Sequence, residues 1–509
     1  MVSIAVVAFC FLLAGILHAL LSWRKRHIFA NPKQLPYPPG PKPDPIIGNL
    51  RHIVPESTWF RYTEWKAVYG DIVHFTVLGT HVTVLNSYEV ANEILGKRAT
   101  YHSRPITTML GEMLGWAESV PLMEYCEKWK SYRRLLRSFK REDVVANFRL
   151  AQHQEAQAFL KRMLKDPAEF FSHARLATGA ILLRGLYDIP VDSGENEYIT
   201  LAETVLDIVV LIAQPGKFLV ELFPNLKYVP SWLPGAGWKR QAKKWRSLTM
   251  KMVNHPFNAL KKDLDAGVAQ PCYATTLMDT QGASEEDAKW ICGSLYIGGS
   301  DTAVSGVMSF ALAMMLYPEV QKKAQEEIDR VVGRERLPDF TDQDRLPYVT
   351  ALLTELHRWA PITPLAFPRR SIEDDDFEGY FIPKDSIVLA NVWAMTRDKN
   401  HYEDPDRFWP ERFLDEGHGK PNTDPRQYIF GFGRRGCPGS NVGDNNIFIL
   451  VASMLAAFHV SKKRGANGIE IEPEFSFTSG LSSRPLDFEF DIKPRSDAAC
   501  SLIRAHADN

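Results

Sequence analysis

Cys437 stands in the most unusual segment of the 509-residue chain, the run FGFGRRGCPG over residues 430–439. Four glycines in ten residues let the backbone turn tightly and approach a flat group closely. An apolar helix is predicted directly afterwards, from about Gly443 to Phe458, so the cysteine faces the positive end of a helix dipole, which favours thiolate over thiol. A thiolate in such a loop is suited to be an axial ligand of haem iron, and Arg435 could pair with a haem carboxylate.

A second group of reactive side chains lies in the run GGSDT over residues 298–302, midway along a long helix predicted from Ser284 to Tyr317. Each glycine costs a helix interior about 1 kcal/mol, and an acid in an apolar stretch adds a burial cost. Unfavourable residues that occur together often mark a functional site, and Asp301 and Thr302 carry groups that can move protons. The alternative is a packing notch against a neighbouring helix.

Composition and cysteine spacing exclude several other classes of protein. The net charge of −1 gives no bulk basic excess for nucleic acid, and 24% charged residues are ordinary for a globular chain. The six cysteines include no CxxC pair and form neither a clustered zinc pattern nor a disulfide framework. Apart from Cys437, each is interpreted as a small buried apolar residue.

The cysteine run resembles the haem-binding segment of the cytochrome P-450 superfamily. Its pattern FxxGxRxCxG is matched at Phe430, Gly433, Arg435, Cys437 and Gly439. The resemblance implies a mainly α fold with small β-sheets, the cytochrome P-450 fold, which holds haem b with the Cys437 thiolate as axial ligand of the iron. The sequence has no CxxCH, so covalent attachment of haem is not expected.

Two further segments match the family in the expected order along the chain. Glu355 and Arg358 match its ExxR motif, in which residues i and i+3 share a helix face and can pair. The run FWPERF over residues 408–413 resembles its PERF region. The resemblance implies that Arg412 joins Glu355 and Arg358 in a buried cluster of three charges, which adds little net stability but fixes geometry.

Three more residues are expected to contact the haem carboxylates. Trp129 and Arg133 match the family's WxxxR helix, whose indole N–H and guanidinium would bind haem propionates. An ordinary amphipathic helix is the alternative. Arg369 stands where relatives often carry histidine, and its permanent charge should preserve the contact.

The resemblance also gives roles to the long helix and to the substrate. The run 298–302 matches the family's [AG]GxDT motif, in which the helix is distorted, the threonine donates a hydrogen bond towards oxygen and the acid relays protons; here these are Thr302 and Asp301. The segments Ile106–Trp116, Tyr296–Gly298, Ile362–Ala366 and Ser479–Leu481 are expected to line the substrate site. Their mostly apolar side chains suit a lipophilic substrate, although each is equally plausible as core. Individual candidates in these segments are Gly298, Ile362, Leu365, Ala366 and Leu481.

The N-terminus predicts a membrane anchor. Residues 2–21 are almost continuously apolar, the length that a helix needs to cross a bilayer, and Arg24, Lys25 and Arg26 follow. A cleaved signal peptide is the alternative, but it has basic residues before its apolar stretch and a small-residue cleavage site after it. We expect a single transmembrane helix over residues 1–23, a basic and Pro-rich linker over 24–45, and a haem-thiolate catalytic domain over 46–509 that faces the cytosol from the endoplasmic reticulum membrane.

Helical patterns dominate the rest of the chain. Pro318 opens a second helix that Gly333 closes, and a third runs from Pro347 to Trp359. Short strands are predicted at Ile72–Thr76, His81–Leu85 and Ile387–Leu389, and another near Phe488–Ile492. The absence of βαβ alternation or a fixed repeat predicts a mostly helical class with small sheets.

Two surfaces are predicted to meet partners. The helix around Trp129 carries basic residues at 128, 130, 134, 137, 140 and 141, which would steer an acidic NADPH-cytochrome P-450 reductase, with cytochrome b5 as a further donor; simple solvation is the alternative. The segment Leu222–Trp238 is rich in Pro, Trp and Leu, and in membrane-bound relatives this region dips into the bilayer. A buried loop is the alternative there.

Together these features predict a haem-dependent monooxygenase. It would insert one atom of O2 into a lipophilic small molecule with electrons from NADPH, and it looks most like fungal biosynthetic members that act on terpenoid or polyketide intermediates of secondary metabolism. Two alternatives use the same haem: an isomerase or dehydratase, and a non-catalytic sensor. Relatives of the first kind usually lack the helix acid and threonine, and sensors generally carry an output domain.

Overall fold

The computed structural model describes residues 31–53, 56–191, 196–214, 216–414, 422–465 and 467–505. The predicted transmembrane helix over residues 1–23 and the basic start of the linker lie outside the described residues. The Pro-rich part of the linker is described, and it lies against the first sheet, because the His74 N–H donates to the Pro39 carbonyl at 2.9 Å.

Helices form most of the described chain, which confirms the predicted mainly α class with small sheets. The α-helices are α1 Thr58–Tyr69, α2 Tyr88–Ala91, α3 Glu127–Leu135, α4 Glu142–Lys165, α5 Phe170–Tyr187, α6 Glu197–Ala213, α7 Leu219–Leu222, α8 Gly237–Asp265, α9 Tyr273–Met278, α10 Glu285–Leu316, α11 Pro318–Val331, α12 Pro347–Trp359, α13 Val392–Met395, α14 Arg426–Ile429, α15 Ser440–Ala457 and α16 Asp497–Ala505. Shorter 3-10 or π turns occupy Leu50–His52, Asn92–Lys97, Ala99–Tyr101, Thr108–Met113, Trp116–Glu118, Leu136–Lys140, Pro167–Glu169, Pro224–Tyr228, Gln343–Arg345, Pro410–Phe413 and Gly433–Arg435.

Helix α10 is the long central helix that the sequence predicted. It begins at a capping box, in which the Ser284 hydroxyl accepts from the Asp287 N–H and the Asp287 carboxylate accepts from the Ser284 N–H. It ends before Pro318, which starts α11 at a position where a missing N–H costs nothing. Its 32 residues span about 48 Å, so α10 crosses the whole domain.

The described strands form three small sheets. They are β1 Ile72–Val77, β2 Thr80–Leu85, β3 Arg369–Arg370, β4 Asp375–Phe377, β5 Tyr380–Ile382, β6 Ile387–Ala390, β7 Phe458–Lys462 and β8 Phe490–Pro494. One sheet has the order β1-β2-β6-β3, and β2 pairs with β6 in parallel with Val82 opposite Ile387. The other two are the antiparallel pairs β4-β5 and β7-β8. The first three predicted strands are present as β1, β2 and β6, and the fourth lies two residues later, as β8.

The main hydrophobic core surrounds α10 and is completed by α4, α5, α11, α12 and α15. Glycines let these helices approach closely: a Cβ on Gly306 would lie 2.6 Å from Ile447 Cδ1, and a Cβ on Gly299 would lie 2.9 Å from Leu182 Cδ1. A Cβ on Gly298, in contrast, would meet no atom within 4 Å. Gly299 is therefore a packing residue, as the alternative interpretation of the GGSDT run holds, whereas Gly298 is not constrained by packing.

Among the described helices, α10 is long and apolar enough to cross a membrane, but 72% of its most apolar window is buried inside the protein. Its apolar character therefore serves the core, and a membrane-spanning role for it is not needed to explain its sequence.

Candidate active site

The cysteine loop is closed by its own backbone. The Cys437 N–H donates to the Phe430 carbonyl at 2.7 Å, and the Gly436 N–H donates to the Gly433 carbonyl at 3.0 Å. Gly433 has φ +54, and a Cβ there would lie 2.4 Å from the Gly96 carbonyl oxygen, so only glycine fits. Helix α15 begins at Ser440, three residues earlier than the predicted start, which brings the helix N-terminus closer to the thiol.

The side chain of Cys437 is accessible, yet protein atoms surround its thiol on most sides. Burial raises the pKa of the Cys437 thiol, whereas the Gly439 N–H and the nearby Arg133 act to lower it. The N–H at the helix start therefore acts in the direction that the sequence predicted, while burial of the thiol opposes it. A bound metal ion would reverse this balance, since a coordinating thiol loses its proton.

Arginines from three distant parts of the chain gather beside this loop. Arg435 donates from Nε to the His102 carbonyl at 2.7 Å and from Nη2 to the Met123 carbonyl at 2.9 Å. Arg369 donates to the Phe432 carbonyl at 2.9 Å. Burial, together with repulsion from neighbouring guanidiniums, lowers the pKa of both Arg369 and Arg435 to about 9.

The positive charge of this cluster is not balanced by nearby carboxylates among the described residues. Arg133, Arg369 and Arg435 have no carboxylate within ion-pair distance in the described residues, and Arg104 is buried against the same group. His102 is 3% exposed, and neither of its ring nitrogens has a hydrogen-bond partner among the described residues. Buried cations favour an anionic partner, and an orphaned imidazole needs a hydrogen-bond partner. Two haem propionates, with iron on the Cys437 sulfur, fit this donor set.

Trp129 lies in the same cluster but has a different immediate partner. Its Nε1–H donates to the Val120 carbonyl at 3.3 Å, and the Arg435 guanidinium lies 3.9 Å from the centre of its ring. Arg133 lies 5.8 Å from that ring. The predicted WxxxR pair is thus located beside Arg435, and in the protein alone the indole N–H is already satisfied by the backbone.

The three predicted structural charges lie together in the core. Arg358 donates to both oxygens of Glu355, at 2.7 and 2.8 Å, and Arg412 Nε lies 3.3 Å from the same carboxylate. The Trp409 N–H also donates to Glu355 at 2.7 Å, and Arg358 donates to the Thr396 carbonyl at 2.9 Å. Glu355 and Arg358 are fully buried, so every one of these bonds offsets desolvation. The cluster ties α12 to the segment that leads into the cysteine loop.

Asp301 and Thr302 lie on α10 with different orientations of their polar atoms. The Thr302 hydroxyl donates to the Gly298 carbonyl at 3.1 Å within its own helix. The Asp301 carboxylate accepts from the Ser482 hydroxyl at 2.5 Å and lies 3.7 Å from Arg484 Nη1. The helix is continuous from Glu285 to Leu316, and a hydroxyl bond to the i−4 carbonyl is a contact that often bends a helix locally.

A cavity adjoins Asp301 between α5, α6 and α10. Arg175 and Glu203, an ion pair at 3.3 Å, stand on one side, and Tyr296, Ser300 and Asp301 stand on the other. The Tyr296 hydroxyl is buried and has no hydrogen-bond partner among the described residues. Tyr296 and Asp301 therefore border the same cavity, which a small polar group or water could occupy.

The other predicted substrate residues do not line this cavity. Ile362 and Leu365 pack against different hydrophobic clusters, and Ala366 ends a tight turn with φ +49. Leu481 is half-buried, and its loop meets Ile362 because the Ser483 N–H donates to the Ile362 carbonyl at 2.7 Å. The segments around residues 362 and 481 are therefore neighbours, and neither Ile362 nor Leu481 lines the cavity beside Tyr296.

Sequence reasoning missed four residues of this site: His102, Arg104, Ser482 and Arg484. Each lies in an irregular segment outside any motif that the sequence analysis used, and no local spacing links it to the cysteine loop or to α10. Their positions follow only from the long-range packing of the chain. A mainly helical chain that presents a cysteine from a glycine-rich loop to uncompensated arginines is the framework of a haem-thiolate protein.

Comparison with known proteins identifies the family. The sequence profile of the cytochrome P-450 family matches residues 38–490, and the chain belongs to that family. It is 39% identical over 478 residues to cytochrome P-450 monooxygenase claR of Ampulloclitocybe clavipes, which covers 93% of this chain and 89% of the relative. It is also 39% identical over 474 residues to monooxygenase 208 of Postia placenta, with 92% of each chain covered. A third relative, monooxygenase COX2 of Coprinopsis cinerea, is 38% identical over 483 residues, with 93% of this chain and 92% of the relative covered. The protein is therefore a cytochrome P-450 monooxygenase that uses haem b with an axial cysteine thiolate.

Proposed function

We propose that Cys437 is the axial ligand and that the enzyme oxidises a lipophilic small molecule. The observation that carries the assignment is the position of Cys437 in a closed glycine-rich loop beside Arg133, Arg369 and Arg435, which have no compensating acid among the described residues. When bound, the haem supplies the reductive activation of O2 and the transfer of one oxygen atom to substrate carbon.

The chain's own residues hold the haem and shape its surroundings. Arg133, Arg369 and Arg435 would pair with the propionates, with the Trp129 indole and the His102 ring as further donors. Phe430, Gly433 and Gly439 shape the loop that presents the sulfur; these three and Arg435 are the remaining positions of the family pattern. The Glu355–Arg358–Arg412 cluster keeps the preceding segment in place and takes no part in the chemistry.

Asp301 and Thr302 would transfer protons on the side of the haem opposite Cys437. A carboxylate that borders a cavity can exchange protons with water there, and the neighbouring hydroxyl can donate a hydrogen bond towards oxygen. This pair favours a monooxygenase over a haem isomerase, which needs no proton delivery to O2. We expect Thr302→Ala to consume NADPH without forming product, and normal coupling in that variant would contradict the role.

Contact of the catalytic domain with a membrane is supported by the surface of the segment that precedes α8. Tyr228 and Trp232 are 74% and 77% exposed, and Phe223 and Leu233 are also exposed. Large exposed apolar side chains in one short segment are typical of a surface that meets a membrane. The anchor over residues 1–23 and the endoplasmic reticulum location remain predictions from the sequence.

The electron donor would bind at the basic face of α3 and the turn after it. Arg134, Arg137 and Lys140 are exposed, and within the described residues none has an acid at ion-pair distance. Lys128, Lys130 and Arg141 pair with acids of their own surface instead. The three unpaired cations are the residues that would steer an acidic reductase or cytochrome b5.

The substrate would be an intermediate of fungal secondary metabolism, of terpenoid or polyketide type. The relatives named above are fungal monooxygenases, and the segments around Ile362 and Leu481 bring apolar side chains together. A panel of such compounds, scored by the substrate-induced shift of the Soret band, would test the class.

The decisive experiment for the haem assignment is the carbon monoxide difference spectrum of the reduced protein in membranes, with Cys437→Ser beside it. We expect a strongly red-shifted Soret band in the wild type and its loss in the variant. A haem-replete wild type without that band would overturn the assignment of Cys437.

A further inference from the structure

His357 is a buried histidine that none of the roles above uses. It lies between Glu355 and Arg358 in α12, but it faces the cysteine loop instead of the charge cluster. Its side chain is 7% exposed, and its Nε2 lies 2.9 Å from Asp444 Oδ1. Burying an imidazole against a carboxylate costs free energy because both groups lose hydration, and such a pair is therefore a candidate for a specific role.

The two partners contact opposite ends of the cysteine loop. The His357 ring packs edge-to-face on Phe430, with ring centres 5.7 Å apart at 67°. Phe430 is the residue whose carbonyl accepts the Cys437 N–H at 2.7 Å. Asp444 lies in the second turn of α15, the helix whose first residues follow the cysteine. The pair therefore connects the residue that begins the loop to the helix that ends it.

Asp444 also carries a negative charge on the helix that directly follows Cys437. An acid on that helix opposes an anionic ligand unless a donor neutralises part of its charge. The imidazole N–H of His357 is that donor, and the exposure of Asp444, 25%, means that solvent screens only part of the remainder.

We propose that the His357–Asp444 pair is a positioning element for the axial cysteine: it joins both ends of the loop and screens the thiolate from the Asp444 carboxylate. Partners of this kind, one step beyond a metal ligand, tune redox potential through charge and hydrogen bonding. The inference rests on the proposed assignment of Cys437, and it adds a control on how strongly that ligand's negative charge is stabilised.

Three variants separate screening from packing. His357→Phe removes the donor but keeps a ring against Phe430, His357→Gln keeps an N–H donor, and the double variant His357→Phe/Asp444→Asn removes the carboxylate as well. The readouts are the ferric/ferrous midpoint potential of the holoprotein and the fraction of its reduced carbon monoxide complex that has the red-shifted thiolate band. The matched control is His401→Phe, which removes a histidine from an exposed pair with Glu89 at 3.0 Å.

We expect His357→Phe to lower the potential, because a bare carboxylate disfavours the added electron, and to increase several-fold the fraction of complex without the thiolate band. His357→Gln should stay near wild type, and the double variant should return to the wild-type potential or above it. His401→Phe should change neither readout.

An unchanged potential in His357→Phe would overturn the proposal, and so would a double variant no better than His357→Phe, which is the result for a purely packing role. If His357→Phe takes up no haem, Asp444→Asn alone decides: a potential equal to or above wild type supports screening, and a lower one contradicts it. Cys437→Ser, measured alongside, keeps a failure of the axial assignment distinct. That failure would leave the wild type without the thiolate band or leave the band present in Cys437→Ser, whereas a failure of the screening proposal changes neither result.

Discussion

Glu355→Gln tests whether the buried charge cluster holds the site together. The substitution is nearly isosteric, so it removes charge without creating a cavity. In the native protein the carboxylate accepts from Arg358 at 2.7 and 2.8 Å, from the Trp409 N–H at 2.7 Å and from Arg412 at 3.3 Å. The glutamine amide can satisfy only part of this set and leaves two buried guanidiniums without a counter-charge.

Removing one partner from a buried ion pair costs about 3–5 kcal/mol, because the remaining charge stays desolvated. Each kcal/mol lowers the unfolding midpoint of a large domain by roughly 2 °C, so the expected fall is roughly 6–10 °C. The assay is the temperature at which the holoprotein loses its Soret absorbance, at a fixed heating rate because unfolding of a protein this large is often irreversible.

Glu93→Gln is the matched control, since Glu93 pairs with Lys97 at 2.6 Å on the surface and the exposed pair contributes little. We expect no measurable change in that variant. If Glu355→Gln and Glu93→Gln lose absorbance at the same temperature, the cluster does not stabilise the site and the reasoning from burial is refuted.

Three further predictions concern other parts of the fold. Gly433→Ala should reduce haem retention and destabilise the protein by at least about 1 kcal/mol, because its φ is +54 and its Cβ would strike a backbone carbonyl. Gly299→Ala should lower the unfolding midpoint by overpacking a leucine of α5, whereas Gly298→Ala, which meets nothing, should be neutral or gain up to about 1 kcal/mol of helix propensity. Burial and the neighbouring His81 hold the pKa of His74 at about 3. Below about pH 6.5 the folded state therefore binds fewer protons than the unfolded state, and acidification from pH 7 to pH 5 should lower the free energy of unfolding by about 2 kcal/mol. His74→Gln should largely avoid this loss.

Each of these has a direct check. Haem content per polypeptide decides the Gly433 variant, and full retention would contradict the steric argument. The thermal midpoint of Gly299→Ala should be lower than that of Gly298→Ala. Equal midpoints would mean that α5 and α10 can shift enough to accommodate the added methyl group. The fall in thermal midpoint between pH 7 and pH 5 should be smaller in His74→Gln than in the wild type. An equal fall in both proteins would mean that other groups cause the acid sensitivity.

Local signals predicted the helices well where caps or prolines mark their ends. Helix α12 runs from Pro347 to Trp359 as predicted, and α10 begins at the Ser284 cap. The start of α15 was placed three residues too late, because Ser440 and Asn441 are polar and gave no apolar period, although Gly439 already precedes the first helical residue. Strand β8 was displaced by two residues, as happens when no turn residue fixes an end.

The chemistry of single residues was less predictable than their identity. The sequence indicated that Cys437 was special, but its thiol pKa depends on burial that no motif encodes. The resemblance to the family's WxxxR helix predicts that Trp129 and Arg133 lie beside the haem, yet the partner of the indole N–H is a backbone carbonyl nine residues earlier. Of the two glycines at 298 and 299, only packing distinguishes the one that is required for helix contact.

The sequence by itself predicted the ligand and determined the order of the motifs and the helical class, because these follow from residue types, short spacings and caps that act over a few residues. Tertiary structure alone decided which charges meet. Arg133 converges with Arg369 and Arg435 from more than 200 residues away along the chain. The His102 ring nitrogens have no hydrogen-bond partner beside them among the described residues, and Asp301 is bound by Ser482, 181 residues away. Desolvation and charge repulsion depend on such long-range contacts, and spacing along the chain carries no record of them.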